Sequence, residues 1–289
     1  MCIFQKNLNL ISFIKKIIFI ICYKENGIIN KIFQIFTNQL IEIITISTHL
    51  DNEIKLFFIR IEIKGFFNEK YLSFCLNKAL PYGSKIFFQN IKIPKIVIMV
   101  TKESHCIGDL LVKKKFGNLN VEIIAIISNY KILKSLAKLF EIPFYHVSHI
   151  SLSREDHNNK ILNIIQILKP DYIILAKYMR ILTSSFIKKY INKIINIHHS
   201  ILPSFIGAKP YFNAYQRGVK IIGATAHYVN INLDSGPIIF QDSANIEYNY
   251  SVNDIISIGR EVEKYVLSRA LYLVFSNRVI VFKDRAIVF

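Results

Sequence analysis

The sequence predicts an α/β protein of two domains: a ferredoxin-like βαββαβ unit over residues 1–90, then a Rossmann-like, mostly parallel sheet over residues 91–289. Three observations predict it. The first ninety residues alternate strand-like and helix-like spacings in that order. Past residue 94 the rhythm changes to apolar strands separated by helical stretches. The length, 289 residues, suits one large domain or two modest ones and can bury a substantial core.

Each element follows from its pattern. Residues 17–23 form an apolar strand, and after Asn26-Gly27 the spacing of Ile28, Ile32, Ile35 and Phe36 puts them on one helical face. Residues 41–49, rich in Ile and Thr, turn at Asp51-Asn52 into a strand where Ile59, Ile61 and Ile63 alternate with Arg60, Glu62 and Lys64, which predicts a half-buried hairpin. Asn68 can cap a helix carrying Tyr71, Leu72, Cys75, Leu76 and Ala79, which stops near Pro81 and Gly83 before a short strand at 85–88. Residues 89–94 are the linker. Beyond it the predicted strands are 95–100, 121–127, 172–176 and 194–198, and the helices 110–115, 131–140, 155–168 and 184–190. Such alternation argues a parallel sheet with helices on both faces, whose ligands bind beyond the carboxyl ends of the strands. A further strand at 223–229, a helix at 252–274 and short strands complete the chain.

Composition narrows the class. With 52% apolar residues, 10 Gly and 7 Pro the chain is neither disordered nor collagen-like. A mean hydropathy of +0.33 calls for a membrane check. The most apolar segment, 10–23, is broken by Lys15 and Lys16, which leaves no span of roughly 20 residues and no secretory leader. The expected location is the cytoplasm. Cys2, Cys22, Cys75 and Cys106 are scattered, without a CxxC pair, as in a reducing compartment. The formal charge of +17 comes mainly from lysines spread over every segment. The longest basic run is Lys113 to Lys115, so neither nucleic acid nor membrane is an expected partner.

The chemistry gathers late in the chain. Asn196-Ile-His198-His199-Ser200-Ile-Leu-Pro203 begins on a strand, where alternation puts Asn196 and His198 on one side. Asp234 follows on a loop bounded by Gly236-Pro237, where a carboxylate is seldom needed for packing. An amide donor, an imidazole and a carboxylate can hydrolyse or transfer an acyl group. His227, inside a predicted strand, reads as structural or as a support behind the site residues. His105-Cys106, adjacent on an extended chain, would point to opposite faces, and His146 and His149 lack further ligands, so neither a cysteine nucleophile nor a metal site is expected.

The words Asn-x-His, Leu-Pro and Asp-x-Gly resemble the signature of the formyltetrahydrofolate-dependent formyltransferase superfamily. Residues 100–111, 176–183, 198–200 and 223–229 are similar to the formyltetrahydrofolate deformylase family, which carries an N-terminal ACT domain. The resemblance spans from about residue 15 to the C-terminus. It implies that Asn196, His198 and Asp234 are catalytic. Asp234 activates water, His198 assists proton transfer to the departing nitrogen, and Asn196 donates to the formyl oxygen. It places the pterin between Met179, Arg180, Ile181 and Leu182 on one side and Val229, Asn230, Ile231, Asn232 and Leu233 on the other. It also implies that 10-formyltetrahydrofolate is the substrate, with no tightly bound cofactor and no metal. The products are formate, for purine and one-carbon metabolism, and tetrahydrofolate. A homo-oligomer assembled through the ACT unit is expected. The ACT unit departs from the family pattern after Cys22, where Tyr23-Lys24 stand for the usual Pro-Asp, although Gly27 remains. The turn from Thr101 to Gly108 has one late glycine, a poor cradle for the phosphate of a glycinamide ribonucleotide. Water is therefore the expected acceptor, with formyl transfer to an amine, or an inert ligand-sensing protein, as the rival readings.

Overall fold

The computed structural model describes residues 13–117, 119–203 and 210–289, so Cys2 and residues 10–12 of the apolar segment lie outside it. The chain divides into two compact units between Lys92 and Ile93.

The first unit runs β1 (Phe13–Tyr23), α1 (Ile28–Asn38), β2 (Glu42–Asp51), β3 (Leu56–Phe66), α2 (Glu69–Ala79) and β4 (Lys85–Asn90). Its antiparallel sheet has the order β2-β3-β1-β4. The register sets Ile18 against Ile61 and Ile20 against Ile59, and all four are fully buried under Ile32 of α1 and Leu72 and Leu76 of α2. Burying each such side chain stabilises the fold by about 1.5–3 kcal/mol. Asn68 caps α2, its Oδ1 accepting from Tyr71 N at 3.0 Å. The alternation predicted for β3 holds at Glu62 and Lys64, half-buried beside buried isoleucines, and fails at Arg60. Arg60 is buried too, because Thr45 Oγ1 accepts from its Nη1 at 3.2 Å and Glu62 lies 3.4 Å from its Nη2.

The second unit contains β5 (Lys95–Val100), α3 (His105–Lys115), β6 (Glu122–Ser128), α4 (Lys134–Leu139), β7 (Phe144–His146), α5 (Arg154–Leu168) and β8 (Tyr172–Leu175). Then come α6 (Ser184–Lys189), β9 (Ile194–His198), α7 (Pro210–Gln216), β10 (Ile221–Tyr228), β11 (Ile238–Asn245), α8 (Val252–Phe275) and the hairpin β12 (Val279–Phe282) and β13 (Arg285–Val288). The sheet order is β11-β10-β9-β8-β5-β6-β7. Five strands, β9 to β7 in that order, are parallel, and β10 runs antiparallel between β9 and the edge strand β11. The near-continuous apolar strands bury both faces, one under α3 and α8 and the other under α5 and α6. The chain passes from β5 to β6 on one side and later to β8 on the other. That reversal lies between β5 and β8, and a cavity opens beside it past the ends of β8 and β9.

Two departures from the predicted elements matter. Helix α3 begins at His105 rather than 110, since Cys106, Ile107, Leu110 and Leu111 share its buried face. His105 and Cys106 therefore stand in a first helical turn and not on extended chain. Strands β7 and β11 and helix α7 were not anticipated; β11 has only Ile239 fully buried along its length, too weak an apolar signal to read as a strand.

Candidate active site

Strand β9 brings Asn196 and His198 to one side, and antiparallel pairing with β10 sets His227 directly opposite Asn196. His227 is buried, with Nδ1 2.9 Å from the carbonyl of Tyr228, so Nδ1 carries the proton and donates there. Its Nε2 accepts from Asn196 Nδ2 at 3.3 Å. Burial lowers the His227 pKa below the ordinary imidazole value, outweighing the Tyr228 carbonyl and Asp234, which favour the proton. A neutral His227 thus orients the Asn196 amide, leaving its second N–H available to a ligand.

Asp234 reaches the same place from the loop after β10. Its Oδ2 lies 3.3 Å from His198 Nδ1 and its Oδ1 3.7 Å from His227 Nε2. The bond with His198 holds the carboxyl below the usual carboxylate range against its partial burial, and the charge of His198 adds to that pull. The loop doubles back tightly, with Tyr228 N donating to the Pro237 carbonyl at 2.9 Å. A Cβ at position 236 would sit 1.7 Å from the Tyr228 carbonyl oxygen, so the Asp-x-Gly word needs its glycine for the return. Asp234 itself has φ 53°, a left-handed conformation that Asp tolerates better than most residues.

These side chains open into a cavity of about 310 Å³. One wall is Tyr178 to Leu182, pinned at both ends. Thr101 Oγ1 accepts from Met179 N at 2.9 Å, and Asn158 Oδ1 accepts from Thr183 N at 3.2 Å. The other wall holds Val229, Asn230, Ile231 and Leu233. Asn232 does not line it; the side chain is exposed and its backbone N–H donates to Asn230 Oδ1 at 3.2 Å, closing the turn. Met179, Ile181, Ile231 and Leu233 are exposed apolar side chains facing each other's loops, a lining suited to a flat, mostly apolar ring. Arg180 Nε is buried without a hydrogen-bond partner. The cavity thus gathers every residue expected from the sequence except Asn232, together with His227, whose place is the supporting one of its two readings. Its signal was its place in register with Asn196, invisible until β10 is paired.

A second polar cluster was not foreseen. Glu263, fully buried in α8, is met by His105 Nε2 at 2.6 Å, Lys177 Nζ at 3.0 Å and the Tyr211 hydroxyl. Burial pushes the Glu263 carboxyl up, but the His105 bond, the Lys177 charge and the Tyr211 bond outweigh it and hold it at about 2. Ligand atoms of His105, Cys106 and Glu263 lie within 4.8 Å of one another. The donor chemistry does not favour a cation there. Burial holds the Cys106 thiol strongly protonated, with Glu263 adding to it, and Lys177 already neutralises the carboxylate. The same shift makes Cys106 inert as a nucleophile. His146 is exposed on β7, while His149 turns to Asn129 Nδ2 at 3.3 Å, so these two share no ligand set.

Comparison with known proteins agrees with this architecture. The formyl transferase family model matches residues 94–271. A formyltetrahydrofolate deformylase of Escherichia coli K12 is 49% identical over 274 residues, 95% of this chain and 98% of that protein. One from Haemophilus influenzae Rd is 46% identical, covering 95% and 99%. The crystal structure of a formyltetrahydrofolate deformylase from Pseudomonas syringae pv. tomato DC3000 superimposes with a TM-score of 0.87 at 34% identity, covering 96% of this chain and 95% of that one. With its βαββαβ unit, its mostly parallel sheet and this similarity over nearly its whole length, the chain belongs to the formyltetrahydrofolate deformylase family.

Proposed function

We propose that the protein hydrolyses 10-formyltetrahydrofolate to formate and tetrahydrofolate, using Asn196, His198 and Asp234. The observation that carries this reading is the contact of His198 Nδ1 with Asp234 Oδ2 at 3.3 Å beside Asn196, in a cavity with two apolar walls. The pterin lies between residues 179–182 and the loop 229–233, with Asn232 outside the contact. Water, oriented by Asp234, forms a bond to the formyl carbon. Charge developing on the formyl oxygen meets the free N–H of Asn196. The proton shed by water passes to the Asp234–His198 pair, and His198 delivers a proton to the nitrogen as its bond to carbon breaks. A carboxylate held below its ordinary pKa is a weak base alone; its larger contribution is to fix His198 and stabilise the imidazolium. No metal or bound cofactor enters these steps.

The test is purified protein with 10-formyltetrahydrofolate and no acceptor. Formate and tetrahydrofolate should appear one for one. Formate appearing only after addition of glycinamide ribonucleotide would replace hydrolysis with transfer.

Residues 1–90 act as an ACT unit that joins subunits. Within the described chain the outer edges of β2 and β4 pair with no strand, and a second copy can cover such an edge. Deleting them should change the number of subunits per particle measured by light scattering; an unchanged number would sink the assignment. The setting is cytoplasmic one-carbon metabolism, where the formate feeds purine synthesis. Among the described residues no helix is long and apolar enough to cross a membrane.

A further inference from the structure

Outside the catalytic groups and the two loops, the polar side chains of the cavity wall include Lys177 and His199. Both trace back to one buried carboxylate. Lys177 stands just past β8, is buried, and places Nζ 3.0 Å from Glu263 Oε1. The His199 ring stacks on His198 with centroids 4.7 Å apart and lies 6.4 Å from the ring of Tyr211, whose hydroxyl donates to that same oxygen. Tyr211 in turn needs Gly259, one turn before Glu263, because a Cβ there would come within 2.3 Å of its ring. Lys177 lines the cavity and Glu263 does not, so Lys177 is the member of the pair on the cavity side. Nothing in hydrolysis as derived above uses this arrangement.

We propose that Lys177, fixed by Glu263, selects the acceptor: it admits water to the formyl carbon and turns away amines. The inference rests on the assignment of the cavity to the formyl group. Either acceptor follows one balanced course. The nucleophile's oxygen or nitrogen bonds to the formyl carbon, the bond from that carbon to the folate nitrogen breaks, and the nucleophile's proton ends on that nitrogen. Water yields formate, and an amine yields a formamide. The catalytic groups serve both, so discrimination has to come from the wall. A primary amine is largely a cation at neutral pH, and a fixed ammonium in a poorly solvated cavity opposes its approach. Neutral water instead accepts a hydrogen bond from the same ammonium.

The test measures how turnover divides between formate and N-formylglycinamide when glycinamide is added. Wild-type protein should release formate alone. The double variant Lys177→Met with Glu263→Gln removes both charges and nearly keeps the volume, a change that buried pairs often tolerate. Lys177→Gly is the alternative, since φ 60° at this position suits glycine. Either variant that still binds the folate should raise the ratio of formylglycinamide to formate at least ten-fold, and Lys177→Arg should restore the wild-type ratio. An unchanged ratio in a folate-binding variant would overturn the inference, as would an Arg variant that behaves like the Met one. Formate release by the wild type without amine tests the hydrolase reading separately.

Discussion

Two carboxylates near the catalytic cavity share an electrostatic state and differ in everything else. Asp234 sits on a loop in a left-handed conformation, contacts two histidines and keeps 15% of its side chain exposed. Glu263 lies in the middle of a 24-residue helix with 1% exposed, held by His105, Lys177 and Tyr211. Both are held below their ordinary pKa and both touch a histidine. A shifted carboxylate beside histidine therefore does not locate chemistry by itself. Access does: Asp234 lines the cavity, while the Glu263 oxygens are all engaged by protein groups.

The comparison breaks first at Asp234. Asp234→Asn nearly keeps the shape but removes the charge that orients water and steadies His198. Turnover should fall by about 10²- to 10⁴-fold, the usual range for such a group, with folate affinity within a few-fold. Steady-state kinetics beside direct folate titration measure both. Hydrolysis at the wild-type rate would remove Asp234 from the mechanism.

At Glu263 the loss should fall on stability. Glu263→Ala leaves Lys177 buried without its partner, a change that costs about 3–5 kcal/mol, read from urea unfolding. The sign of the pH dependence follows from the depressed pKa. Stability from the ionised carboxylate is present above its ordinary value of 4.5 and is lost as pH falls from there to about 2. Glu263→Gln should flatten the acid dependence of unfolding in that window, and an unaltered slope would mean that the cluster does not hold its charge.

The sequence made one of these carboxylates legible and hid the other. Asp234 stands in a loop punctuated by Gly and Pro, where polarity has no packing excuse, and it completes a recognisable spacing with Asn196 and His198. Glu263 stands in Gly-Arg-Glu-Val-Glu-Lys, which reads as the solvated face of a helix; its burial depends on α3, α7 and the end of β8 arriving around it. His105 was legible only through Ser104, a residue type favoured at the N-cap, which stands just before the first turn of α3. Of the two readings open for His227, the supporting one could not be chosen from the sequence, as strand pairing, not spacing along the chain, carries it to Asn196. The N-terminal unit was readable nearly element by element, because its core uses neighbouring strands and helices with strong isoleucine periodicity.

His227 stands between the two extremes, buried like Glu263 yet touching the catalytic groups. His227→Phe keeps a ring but removes the acceptor that turns Asn196, so the amide is free to present its oxygen to the formyl group. The expected loss in kcat is ten- to a hundred-fold, the scale of a small misplacement of a catalytic group, with little change in KM. His227→Gln, which can still accept from Asn196, should recover part of it. Equal losses in both variants would argue for packing alone.

The smallest effect is expected at Arg180, which shares the cavity with Asp234 but not its contacts. Its Nε is buried and unpartnered within the protein, while the residue as a whole is half-buried and its charge is screened by water. A hydrogen bond from that group to bound folate would be made equally in the ground and transition states. Such uniform binding lowers KM without raising kcat. Arg180→Ala should therefore weaken folate binding by about ten-fold, equivalent to about 1.4 kcal/mol, and leave kcat at saturation within about three-fold. The two variants then form a crossed pair, with Asp234→Asn losing rate at constant affinity and Arg180→Ala losing affinity at constant rate. If Arg180→Ala lost rate at saturating folate instead, the wall would be part of the machinery that positions the formyl group, and the division between the binding loops and the catalytic cluster would have to be redrawn.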